Sequence, residues 1–99
     1  MGDDSKWVPQ RVTEADAATG RVLAAAREKA GMQVRDAAAA SGIDRSVITR
    51  IELGQRPCRV TELDALARAY GVGRETLTRA VTAAIKAAEG TAESGGAEN

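Results

Sequence analysis

The sequence predicts an all-α fold of five helices whose last helix is extended. Three observations predict it. Alanine supplies 21 of the 99 residues and proline only two, and these are the strongest and weakest helix formers. No stretch alternates apolar and polar residues at period two, as a half-buried strand would. Glycines at 31, 42, 54, 71 and 90 follow apolar-periodic stretches at the places where helices would stop. The length suits one domain. Hydrophobic residues make up 43% of the chain, with one Trp, one Tyr and no Phe. Small side chains bury little area each, so the core should be thin and close-packed.

Residues 1–12 read as an N-terminal arm, and the folded domain is expected over 13–89. The first helix should run over about 14–30, with Thr13 and Asp16 forming a capping box and Gly31 ending it. Gly20 lies in its middle and weakens it by about 1 kcal/mol relative to Ala, so its first turns are expected to fray or separate. The second helix is placed at about 34–40, after Gln33 and before Gly42. The third is placed at 45–53, with Asp44 as N-cap and Gly54 as stop. The fourth covers 62–70, capped by Thr61 and ended by Gly71. The fifth covers 74–89 and should stop at Gly90. Residues 90–99 are Gly, Ser, Ala, Thr, Glu and Asn and are expected to be a disordered acidic tail.

Composition excludes most chemistry. There is no His, and Cys58 is the only cysteine. The usual zinc sites, the disulfide frameworks and most acid–base or nucleophilic catalysis are thereby removed, which leaves only chemistry that carboxylates alone can perform. No catalytic residue, metal or cofactor is expected, and the chain is not expected to be an enzyme. With no second Cys for an internal bridge, Cys58 reads as a bystander thiol. No apolar run approaches the roughly 20 residues of a membrane helix. Asp3, Asp4 and Lys6 occupy positions where a signal peptide would begin its apolar segment, so a cytoplasmic location is expected.

Fourteen basic and fourteen acidic residues cancel. The sum hides a pattern: residues 45–59 hold Arg45, Arg50, Arg56 and Arg59 against Glu52 alone, whereas residues 87–99 hold Glu89, Glu93 and Glu98 and no base. The basic stretch overlaps the most informative segment, VRDAAAASGIDRSVITRIEL at 34–53. Two short helices meet there at a tight turn. Ala38 is small enough for the second to approach the first, and Gly42 can take the positive φ the turn needs. Ile43, Ile48 and Ile51 fall on the packing side of the second helix. Arg45, Ser46, Thr49 and Arg50, spaced at i and i+4, form one polar face on its other side.

Together with LAAAREKAGM at 23–32 and LDALARAYGV at 63–72, the GIDRSVITRIELG segment at 42–54 resembles the Cro/lambda-repressor-like (XRE-type) helix-turn-helix family. The resemblance runs from about Gly20 to Val81. It implies a five-helix lambda-repressor-like domain that binds double-stranded DNA sequence-specifically, usually as a homodimer on a palindromic operator. It places Arg45, Ser46 and Arg50 at the family's base-reading positions, with Thr49 beside them. It places Gln55, Arg56 and Arg59 where the family contacts phosphates, and it matches Arg27 and Glu52 to a buried salt bridge between the first and third helices. The chain also departs from the pattern. Val34 stands where many members carry a phosphate-supporting Gln, which leaves Gln33, Arg35 or a backbone amide to replace that contact. Ala37 and Ser41 are smaller than usual, and Leu53 replaces a residue that is often polar.

Leu77, Val81, Ala84, Ile85 and Ala88 form a stripe at helical spacing on the fifth helix. Its second half extends past the family's usual end, which makes Val81, Ile85 and Ala88 the expected dimer interface. Tyr70 is expected in the core. Trp7 and Val8 could pack onto the domain or belong to an arm that touches DNA or a second subunit, and the residues do not separate these. The reading is a bacterial or phage-type transcriptional regulator, a repressor that occupies its operator through the third helix and associates with the nucleoid when bound. The alternative keeps the fold but makes it an antitoxin-like or adaptor module whose C-terminal region binds a protein partner.

Overall fold

The structure is a computed structural model that describes residues 12–97, with side chains described from 12 to 90. Trp7, Val8 and the end of the tail lie outside the described residues. Five helices follow one another: α1 (Glu14–Lys29), α2 (Val34–Ser41), α3 (Arg45–Glu52), α4 (Val60–Tyr70) and α5 (Arg74–Ala97). There is no strand among the described residues. α1 lies along α5 and across α3, while α2 packs on α3 and α4, and α4 also on α5.

Local chemistry sets most helix ends. The Thr13 hydroxyl accepts from the Asp16 backbone N–H at 3.2 Å, and the Asp16 carboxylate accepts from the Thr13 N–H at 2.9 Å. This reciprocal cap satisfies two of the N–H groups that a helix start leaves open. Between α2 and α3 the chain turns at Gly42, with φ of 78° and its N–H donating to the Ala38 carbonyl at 2.9 Å. A residue with a Cβ would be strained in that left-handed conformation.

Three expected boundaries are corrected. α1 does not fray or divide at Gly20, which is fully incorporated and buried. A Cβ added there would overlap the Ile51 carbonyl oxygen and lie 2.8 Å from that of Glu52. The missing side chain is therefore what lets the α1 backbone rest directly on the last turn of α3. α4 begins at Val60 rather than 62, because the Glu62 carboxylate accepts from the Arg59 N–H at 2.9 Å and so starts the helix two residues before Thr61 could. α5 continues through Gly90 to Ala97. Gly90 is not among the glycines with positive φ, and a helical glycine between Ala-rich turns lowers stability without ending the helix.

The core is assembled from Leu23, Ala37, Ile48, Ile51, Leu66, Ala67, Tyr70 and Leu77, with Val34, Ala38, Ile43 and Val47 half-buried against it. Ala18 and Val81 are also buried, outside that cluster. Four side chains, Leu23, Ile48, Ile51 and Leu66, are the largest that are wholly enclosed. Two of these four belong to α3, so a helix of only eight residues is fixed from beneath by β-branched side chains with restricted χ1.

Replacement of Gly20 by Ala tests this packing. In an exposed helix interior the change would stabilise by about 0.5–1 kcal/mol. Here it should destabilise, by about 1–3 kcal/mol, as overpacking does. Thermal melting of the two proteins distinguishes the signs.

Candidate nucleic-acid interface

α3 divides into two faces. Ile48 and Ile51 are 1% exposed and point into the core. Arg45, Ser46, Thr49 and Arg50 are all exposed on the opposite side. Asp44 precedes the helix as expected but makes no side-chain cap bond. The Val47 N–H donates to the Asp44 carbonyl at 3.1 Å, so the first two amides of α3, at Arg45 and Ser46, keep their donor capacity at the end where the polar face begins.

The N-terminus of α2 comes up beside this face. Gln33, Val34 and Arg35 form an open cleft with Arg45, Ser46, Thr49 and Arg50. All four expected base-reading residues and two of the expected phosphate residues are thereby brought together. Arg35 retains only a loose, exposed approach to Asp36, at 3.9 Å. The Asp36 carboxylate instead caps α2 by accepting from the Gln33 N–H at 2.9 Å.

The α3–α4 loop is less uniform than its sequence suggests. Gln55 and Arg59 are exposed. Arg56, expected at a phosphate, is engaged within its own chain. Its Nη1 and Nη2 donate to the two Glu62 oxygens at 2.8 and 3.1 Å, and Nη1 also reaches the Pro57 carbonyl at 2.9 Å. Burial alone would raise the Glu62 pKa, but the Arg56 hydrogen bonds and the Arg59 N–H outweigh it and hold the carboxyl below its ordinary value. Arg56 and Glu62 therefore pin the loop, and Arg59 extends from a fixed base. The signal for Glu62 was present, since a Glu three residues after a loop residue is half of a capping box. Its second role, with Arg56, depends on the loop's path.

A second ion pair fixes α3 itself. Arg27 Nε and Nη2 donate to the two Glu52 oxygens at 2.8 and 3.0 Å, and Nη1 donates to the Met32 carbonyl at 2.9 Å. The two side chains are 14% and 9% exposed. The hydrogen bonds to Glu52 raise the Arg27 pKa further above its ordinary value, against the effect of burial. Tyr70 packs in the same interior, with its hydroxyl pKa pushed up to about 12, first by burial and then by the Glu52 charge. Cys58 is half-buried, its thiol donating weakly to the Arg59 carbonyl at 3.5 Å, and burial pushes its pKa up to about 11. A thiol so disfavoured as thiolate is a poor nucleophile. Among the described residues no cluster of acidic or cysteine side chains is suited to a metal, and no helix is long and apolar enough to cross a membrane.

A family profile for the helix-turn-helix domain matches residues 18–80, which include both arms of the cleft. The chain belongs to this helix-turn-helix family. Within it the chain is of the XRE type, a class of DNA-binding transcription regulators. Among solved structures it is similar to the restriction-modification controller protein C.AhdI from Aeromonas hydrophila, at 28% identity and a TM-score of 0.62, covering 66% of this chain and 98% of that one. It is also similar to the wild-type restriction-modification controller protein C.Esp1396I, at 22% identity and a TM-score of 0.67, covering 74% and 96% of the two chains. The second likeness is one of fold. No curated relative matches. The shared helix-turn-helix extends over the described core, while α5 continues beyond the matched residues.

Changing either partner of the Arg27–Glu52 pair alone should strand a charge. Arg27→Met or Glu52→Gln is expected to cost about 3 kcal/mol, the lower end for breaking a buried pair. That corresponds to more than about 10 °C in Tm for a domain of this size. The double replacement by Met and Leu should recover much of the loss, and calorimetry of the three variants measures it.

Proposed function

We propose that this regulator reads a palindromic operator as a homodimer, with α3 in the major groove, and represses by occupying the promoter. The observation that carries this is the single cleft in which Arg45, Ser46, Thr49 and Arg50 meet Gln33 and Arg35. Arg45 and Arg50 are assigned to guanine, because a guanidinium fork donates to O6 and N7 together. Ser46 and Thr49 offer hydroxyls to neighbouring base edges. Gln33, Arg35, Gln55 and Arg59 are assigned to phosphates, which position a reading helix without specifying sequence. Arg56 is left out of that set because Glu62 holds it.

The likeness to C.AhdI, a restriction-modification controller protein, supports a controller role. A helix-turn-helix domain that takes up most of the chain fits regulation by occupancy. The proposed site of action is the cytoplasm, on nucleoid DNA. The alternative of a protein partner at the C-terminal region rests on Glu89, Glu93 and Glu98, of which only Glu89 is among the described side chains.

Dimerisation follows from weak non-specific attraction. A chain with zero net charge gains little affinity from its overall field, so one half-site is a poor target. Val81 is withdrawn from the proposed interface, since it is 6% exposed within its own fold. Ile85 and Ala88 remain half-buried on the part of α5 beyond the matched domain. The 24 residues of α5 span about 36 Å at 1.5 Å per residue. That reach suits a twofold contact that sets two recognition helices one DNA turn, about 34–36 Å, apart.

Arg45→Ala and Arg50→Ala should each weaken a selected duplex by about 1–3 kcal/mol while leaving random DNA nearly unchanged. Gel-shift titrations on both DNAs measure the ratio, and equal losses would reduce the residue to a phosphate contact. Arg59→Gln should flatten the slope of log affinity against log salt by about 0.9 for each lost phosphate contact. Arg56→Gln should act chiefly on Tm. Ile85→Asp should shift sedimentation towards monomer and weaken operator binding with helicity intact. A variant that stays dimeric would move the interface off α5.

A further inference from the structure

The cleft between α2 and α3 has one purely apolar side chain. Gln33, Arg35, Arg45, Ser46, Thr49 and Arg50 surround it, and Val34 is set among them. Val34 is the first residue of α2 and is half-buried, with one side packed against the core cluster and the other lining the cleft. A β-branched side chain in a helix has one strongly preferred χ1, so its two methyl groups are held in place. Thr49 adds a γ-methyl group on the facing helix. The cleft is thus cationic at its edges, through Arg35, Arg45 and Arg50, and apolar at one point inside.

Such a point is matched by one group of B-DNA. Among the base edges of the major groove, all features but one are hydrogen-bond donors or acceptors, and the exception is the thymine 5-methyl group. The cations draw the duplex into the cleft, and the methyl replaces water against Val34 as the bases approach. Cytosine offers no methyl there. We infer that Val34 is a specificity-determining residue that selects thymine over cytosine at one position of each half-site by contact with the thymine 5-methyl group. The inference rests on the DNA-reading role of the cleft and adds a residue whose contribution is apolar, where a polar side chain would have held a phosphate.

Deoxyuridine pairs as thymidine does and lacks only the methyl. The test uses a duplex selected from randomised DNA by the wild-type protein, with each dT replaced singly by dU. The wild type should bind about fourfold more weakly at one dU position in each half-site, the effect of losing one buried methyl. Replacement of that dT·dA pair by dC·dG should weaken binding further, and 5-methyl-dC should restore about the same factor. Val34→Ala should bind the dT and dU duplexes alike at that position while retaining its dependence on Arg45 and Arg50. Val34→Thr keeps the shape and one methyl, so it should show a reduced dU penalty even if the Ala variant melts too low to use. A dU scan without effect at any position would overturn the inference while leaving the DNA reading intact, as would a dU penalty that survives unchanged in both Val34 variants. Selection that yields no duplex bound better than random DNA would overturn the reading and the inference together.

Discussion

Arg27 on α1 grips Glu52 on α3 with two hydrogen bonds in a mostly enclosed site, and its third contact reaches the Met32 carbonyl just before α2. One guanidinium therefore references three segments to each other: α1, the approach to α2, and the end of the reading helix. A planar fork is suited to this because it fixes direction as well as distance. Such a pair adds less net stability than its distances suggest, since both ions lose water. Its larger effect is positional. Any other seating of α3 leaves a charge enclosed and unpaired, which makes alternative packings costly.

Gly20 works with that pair. The absence of a side chain brings the α1 backbone against the Ile51 and Glu52 carbonyls, and across the same contact Arg27 meets Glu52 side-on, through Nε and Nη2. This is how a chain with little aromatic bulk makes a rigid platform. Its wholly enclosed large side chains are Leu23, Ile48, Ile51 and Leu66. Density comes from bringing backbones together over Gly and Ala, where another protein would fill the space with Phe. Close-packed interiors transmit displacement, so a shift of α1 would be felt at Arg45 and Arg50.

The two ion pairs also sort the arginines of the domain. Arg56 is taken up by Glu62 and Arg27 by Glu52, while Arg45 and Arg50 are exposed on the polar face of α3. The neutral total thus conceals a local division of labour: acids neutralise Arg27 and Arg56, which build the scaffold, while no carboxylate among the described residues pairs with Arg45 or Arg50 on the polar face of α3. Specific recognition gains from this, because a low overall charge limits binding to arbitrary sequences while the local cationic cleft retains its field.

The sequence by itself determined the five helices, the turn at Gly42 and the two faces of α3, because these depend on period, capping residues and glycine, all local in the chain. The pairing of Arg27 with Glu52 was also legible, through the family pattern in three separate segments. The tertiary structure alone decided the rest. Gly20 looked like a weakness because helix propensity is counted one residue at a time, and only the arrival of α3 made it a contact. Arg56 looked like Arg59 until the loop path brought Glu62 beneath it. Val34 stands where the family pattern has Gln, and only the meeting of α2 and α3 places it inside the cleft. Val81 looked available for a partner until its own fold covered it. In each case the deciding neighbour lies on another element, and its identity depends on a distance that no local pattern encodes.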